Sequence, residues 1–199
     1  MSEALNADTG VADALDGVHA AQVVIRADRS RGLAALNALF RDGWVPDPPP
    51  DGAYTGELVA VDIAPGLSAL LEWLASLWMP WKGKSLIRAE GRGVNIFGRG
   101  SRLAMRLLFP FYRGMVDHDA QSFRAFVFET SLADGMVDPD RRVFRIDYDR
   151  PDNPALTIRR IVDEIVQVAD GVYLGKIHFK WWWGRWTMVG YFSLRRGSY

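Results

Sequence analysis

The sequence contains no cysteine in its 199 residues. That excludes a disulfide framework, thiolate catalysis and any zinc site built on sulfur. It also lacks an excess of either charge: Lys+Arg and Asp+Glu both total 24, for a formal net charge of zero. A surface that neutralises phosphates needs a basic surplus, so no nucleic-acid partner is expected. No apolar run reaches the roughly 18 residues of a spanning helix. The amino terminus is polar and acidic, without the basic and apolar regions of a secretory signal, so a cytoplasmic location is expected. Histidine is scarce, at three residues, with no second histidine at helical or hairpin spacing. There is no Gly-x-Ser-x-Gly elbow. The two Gly-Arg-Gly runs, at Gly91 and Gly98, lack the spacing and context of a phosphate-binding loop and read as turns or bulges. Neither a metal nor a cofactor is expected.

Aromatic residues are abundant, at 12%. The densest stretch is Val172 to Arg195, which reads as two strands joined at Gly184-Arg185. Side chains alternate across a strand. One face of the first strand is therefore Tyr173, Gly175, Ile177, Phe179, Trp181 and Trp183. The other holds Lys176, His178 and Lys180 and reads as mostly wet. In the second strand Trp186, Met188, Phe192 and Leu194 share a face. This aromatic wall is either ordinary core or the lining of a cavity.

Before it, residues 1–10 are small and polar and are expected to lack order. Val11 to Asp42 reads mostly as helix, with Asp28 or Ser30 as an internal cap and Gly43 as the stop. Pro46 to Gly52 is a stiff connector. Residues 1–45 thus form a helical arm, and 46–199 the main domain. Tyr54 to Ile63 is a strand, and Pro65 opens a helix with an apolar face of Leu67, Leu70, Leu71, Leu74, Leu77 and Trp78. That helix reads as core or lid ahead of a membrane-surface element, because it lacks a basic polar face. Strands follow at Ser85–Glu90, Val94–Phe97, Phe123–Leu132 and Arg142–Asp149, the last with Phe144, Ile146 and Tyr148 inward. Residues 102–115 are a helix broken before Pro110 or an irregular strand. Residues 157–169 fit helix or strand, with helix slightly preferred on length and stripe. About seven to nine short strands with turns between them make a mainly β (α+β) chain, an antiparallel barrel carrying one or two helices besides the arm.

Tyr54-x-Gly56, Trp81-x-Gly83-Lys84, Gly93-x-Asn95, Gly171-x-Tyr173-Leu174-Gly175 and Phe192-x-Leu194 resemble a calycin-type, lipocalin-like small-molecule barrel over roughly residues 54 to 195. The lipocalin Gly-x-Trp opening is not matched. The resemblance implies an antiparallel barrel around an apolar cavity, a shape that some isomerases, cyclases and dehydratases share.

Trp81, Phe128, Tyr148, Tyr173, Trp181 and Trp183 are the expected cavity lining. Asn95 and Glu129 are its expected polar contacts, and Tyr148 could likewise orient a ligand group, since polar groups on apolar strand faces need partners. Proton transfer, if the barrel is an enzyme without cofactor, falls to Glu129, His118 or Tyr148. Asp117-His118-Asp119 is not expected to hold a metal, because adjacent side chains point apart. Asp163-Glu164 reads as a solvated pair or as partners of Arg159 or Arg160. The expected partner is a hydrophobic small molecule, with a membrane surface or scaffold role less favoured and a homodimer left open.

Overall fold

The computed structural model describes residues 2–61 and 80–197, with side chains from Gly10 onward. The helix expected over 65–79 lies outside the described residues. Two helices come first, α1 (Ser2–Ala27) and α2 (Arg29–Asp42). Asp28 caps α2, its carboxylate accepting the Arg31 N–H at 3.0 Å, and Gly43 closes it. Helix α1 includes most of the stretch expected to lack order, beginning at Ser2.

Nine strands follow: β1 (Gly52–Val61), β2 (Trp81–Ile87), β3 (Arg92–Gly98), β4 (Val116–Asp117), β5 (Ser122–Asp134), β6 (Arg142–Asp147), β7 (Ile161–Ala169), β8 (Val172–Lys180) and β9 (Trp186–Arg196). A short helix α3 (Arg102–Leu108) lies between β3 and β4. All strand pairs are antiparallel. Neighbours run β3-β2-β1-β9-β8-β7-β6-β5, and β3 also pairs with β5, so eight strands close into a barrel with no free edge. The two-residue β4 borders the first part of β5, where β6 does not reach.

This topology fixes which connections share an end. Residues 99–121, 148–160 and 181–185 join strands at one end, called here the mouth, where β1 also ends and β2 begins. Residues 88–91, 135–141 and 170–171 turn at the other, the base.

The molecule has two cores. Inside the barrel pack Trp81, Phe97, Phe126, Phe128, Ile146, Phe192 and their neighbours. Outside it, Val18, Ala21, Leu36 and Phe40 of α1 and α2 cover Val59, Val166, Leu174 and Tyr191 on the outer wall. The second core explains two departures from expectation. Residues 161–169 are strand, not helix: β7 is buried on both faces, so its apolar run is nearly continuous and mimics a helical stripe. The outer face of β8 is not wet: Lys176 and His178 are both buried. The 102–115 stretch is helix only to Leu108, and chain direction changes before Pro110. The last hairpin turns through five residues, with the Trp181 N–H donating to the Arg185 carbonyl at 2.8 Å, so Trp182 and Trp183 leave the strand.

Candidate functional site

A charged cluster sits inside the barrel, and β-bulges put it there. In β2 the pairing with β3 shifts between Trp81 and Gly83. Gly83 takes φ +143°, and a Cβ built on it would lie 1.9 Å from the Tyr54 carbonyl oxygen. The extra residue breaks the alternation, so Trp81, Lys84 and Leu86 all face inward. A second shift lies opposite Val94/Asn95 at Phe126, which has φ +60°. On β7, Ile161, Asp163 and Ile165 alternate inward without a bulge.

Lys84 is fully buried. It donates to Asp163 Oδ2 at 2.9 Å, to Asn95 Oδ1 at 3.0 Å, and to the Tyr148 hydroxyl. The rings of Trp81, Phe128, Tyr148 and Phe192 lie about it, with centroids 5.0 to 5.3 Å from Nζ. Trp81 Nε1 donates to Asn95 Oδ1 at 3.1 Å, Asn95 Nδ2 to the Tyr148 oxygen at 3.0 Å, and Tyr148 to Asp163 Oδ2 at 3.1 Å. Asp163 Oδ1 is buried without a hydrogen-bond partner. Taking both charges out of water costs several kcal/mol each, offset by their attraction and these hydrogen bonds. Burial pulls the Lys84 amine below its ordinary 10.5, against the opposing pull of the Asp163 charge. Burial, reinforced by Asp163, pushes the Tyr148 phenol well above 10. The cluster therefore keeps a neutral phenol beside an amine of reduced basicity.

Next to it is a space of about 20 Å³, lined by Trp81, Asn95, Phe97, Phe126, Tyr148, Ile158 and Ile161. That is room for about one water molecule. Toward the mouth lies a wider groove of about 450 Å³, lined mainly by Leu108–Tyr112 and Pro151–Thr157. Phe126 borders the inner space and Phe109 the groove, and the two rings meet edge to face with centroids 5.4 Å apart.

Of the residues expected in a site, Trp81, Asn95, Phe128 and Tyr148 come together here. Tyr173 is inside the barrel but packs on Tyr54, with ring centroids 5.4 Å apart. Trp181 is buried at the mouth, its Nε1 donating to Thr187 Oγ1 at 3.0 Å. Trp183 is not a lining residue: it is 66% exposed in the hairpin turn, stacked on Trp181. Glu129 shares the outer face with Val127 and pairs with Arg150; only Ala125 turns inward, across the shift at Phe126. His118 lies in the surface turn before β5, its backbone N–H donating to the Ser122 carbonyl. Asp163 and Glu164 are both buried, on opposite faces of β7: Asp163 binds Lys84 and Glu164 binds His178 at 3.1 Å.

Lys84 and Asp163 are the residues that sequence reasoning missed. The signals were a glycine inside a strand pattern at Gly83 and the acidic pair Asp163-Glu164 within the apolar run Ile161–Ala169. Among the described residues, no group of three His, Cys, Asp or Glu side chains is placed to hold a metal ion. No helix among them is long and apolar enough to cross a membrane.

No protein-family model matches the chain, and no curated protein matches it. Its fold is similar to that of a crystal structure of a protein from Thermomonospora curvata, with a TM-score of 0.50 and 16% identity over 92% of this chain and 99% of that one. At that identity the likeness is one of fold: a closed eight-stranded antiparallel barrel.

Proposed function

We propose that the barrel binds an apolar small molecule of lipid, terpenoid, steroid or polyketide type, entered from the mouth, with one polar group of the guest directed at Asn95 and Tyr148. The observation that supports this reading is the buried Lys84–Asp163–Tyr148–Asn95 cluster beside an aromatic-lined space. A fully buried charge network adds little stability over an apolar core of the same volume, whereas sparse convergent polar groups in an apolar lining are how small-molecule sites are built. The inner space as it stands takes one water, so the guest's apolar body would occupy the mouth groove. Its polar end would reach the cluster when the Phe109–Phe126 contact opens. The up-and-down strand order is in keeping with a calycin-type barrel.

Native mass spectrometry of protein purified without detergent tests this, followed by titration with an environment-sensitive fatty-acid probe. Saturable binding that Tyr148→Phe and Asn95→Leu weaken about 5- to 30-fold, the worth of one or two hydrogen bonds, is the expected result. No co-purifying guest and no saturable probe binding would overturn it.

A second reading keeps the site and makes it catalytic, as an isomerase, cyclase or lyase without cofactor. The place of Lys84 beside Tyr148 favours it, since burial lowers the basicity of the amine and so eases its loss of a proton. Its proton-transfer groups would be Lys84 and Tyr148. A Lys84→Met variant that binds the guest but leaves it unchanged, where the parent converts it, separates this reading from simple binding.

A further inference from the structure

Among the described residues, the mouth carries an exposed apolar rim. Leu103 and Leu107 of α3, Phe111, Leu156, Trp182 and Trp183 are all exposed, Phe111 by 94%. They come from three separate connections that meet at one end of the barrel. Helix α3 is apolar on both sides. Met105 is buried in the core and Leu108 packs against it, while Leu103 and Leu107 face away. Its outer face thus mixes the two exposed leucines with the exposed Arg106. The following segment is anchored to β5: the Phe126 N–H donates to the Tyr112 hydroxyl at 2.6 Å, and Phe109 is buried against Phe126. Phe111 lies between these two anchoring residues and projects into solvent.

The charges divide between the two ends. By sequence, the mouth connections 99–121, 148–160 and 181–185 hold eight arginines against four aspartates, the β1–β2 connection adds Asp62 and Glu72 and no base, and the base connections 88–91, 135–141 and 170–171 hold four acids against two bases. In a chain of zero net charge this is an asymmetry along the barrel axis. Asp117 is already engaged by Arg99 and Arg102, and Asp149 by Arg159. Arg106, Arg113 and Arg185 stand exposed with no carboxylate partner among the described residues.

We propose that the mouth end docks on an anionic lipid bilayer. Phe111, Trp182, Trp183 and the outer leucines of α3 insert at the headgroup level, and Arg106, Arg113 and Arg185 meet lipid phosphates. Aromatic and leucine side chains interleaved with arginine are what the interface of a charged bilayer accommodates. A second copy of the chain fits less well, because a two-fold contact sets this arginine-bearing face against itself. The inference does not require the interior site: a guest bound without vesicle binding would sink this proposal alone, and vesicle binding by an empty barrel would leave it standing.

Co-sedimentation with phosphatidylcholine vesicles, with and without phosphatidylglycerol, is the test. The chain is expected to pellet with anionic vesicles at low salt and to be released as salt rises. Arg106→Gln with Arg113→Gln should lower the partition about fivefold per arginine. Phe111→Asp with Trp183→Asp should abolish it; both positions are exposed, so an unchanged circular dichroism spectrum shows that the barrel is intact. Wild-type protein left in the supernatant, or variants that pellet equally well, would overturn the proposal. So would a concentration-dependent dimer, seen by sedimentation velocity and lost in the same variants without any vesicle binding, which would assign the face to a second copy.

Discussion

Lys84 Nζ lies 2.9 Å from Asp163 Oδ2, and the two side chains are sealed from solvent at 1% and 0% exposure. A residue of β2 and a residue of β7, 79 positions apart in sequence, thus share one buried ion pair across the inside of the barrel.

Breaking this pair from one side should be costly. Lys84→Met leaves an uncompensated carboxylate and Asp163→Leu an uncompensated ammonium, at about 3–5 kcal/mol each. The double variant should cost far less than the sum, because no charge is then stranded. Denaturant unfolding of the four proteins measures the coupling; additive losses would mean that the two groups do not stabilise each other.

Tyr148 and Tyr173 set an alkaline limit. Burial raises both phenols above 10, with Asp163 adding to the shift at Tyr148. In the unfolded chain they release protons near pH 10, and in the folded chain they do not. The folded state then binds more protons, so stability is fully present below pH 10 and declines as pH rises beyond it. Unfolding midpoints on either side of pH 10 should fall with pH, and Tyr148→Phe should flatten that slope. An unchanged slope would remove Tyr148 from the account.

Gly175 makes room for Phe192. The two residues are cross-strand partners, and a Cβ on Gly175 would sit 2.3 Å from the Phe192 ring. Gly175→Ala should cost about 1–3 kcal/mol by overpacking. Gly10, in the interior of α1, has nothing within 4 Å of an added Cβ. Gly10→Ala there should stabilise by about 0.5–1 kcal/mol. Thermal unfolding of the two variants should move in opposite directions.

Asp138 holds α2 to the barrel. It accepts from Arg41 of α2 and from Lys176 of β8, while Lys176 also donates to Asn37 of α2 at 2.7 Å. Desolvation works against the Asp138 charge, but the hydrogen bonds of Lys176 and Arg41 outweigh it and hold the carboxyl below its usual 3.8. This contribution is present above pH 3.8 and is lost as pH falls through the lower value in the folded state. Asp138→Ala strands the buried Lys176 and should cost about 3–5 kcal/mol. Hydrogen exchange should then quicken first in α2; uniform quickening across the barrel would contradict this docking role.

Local chemistry made much of the fold legible. Asp28 and Gly43 bracket α2 because a carboxylate at a helix start and a glycine at its end act on neighbouring backbone groups. The alternation of Phe144, Ile146 and Tyr148 marked the inner face of β6 and brought Tyr148 to the site. The same rule failed at Trp81–Lys84, where Gly83 adds a residue and reverses the parity. It failed again at Lys176 and His178, where polarity suggested water and α2 with Asp138 supplied the partners of Lys176, and Glu164 that of His178. Glu129 looked like a buried acid only because Ala125 and Val127 are apolar; Val127 is an exposed residue on the outer wall.

The sequence alone determined that the chain is an antiparallel, aromatic-rich barrel without sulfur chemistry, because strand alternation, turn residues and composition act over a few positions. Only the tertiary structure decided which face of each strand is inside, that Lys84 meets Asp163, and that three connections gather an apolar, arginine-bearing rim at one end. These depend on bulges, on barrel closure and on the covering helices, which couple residues far apart in the chain and leave no local signature.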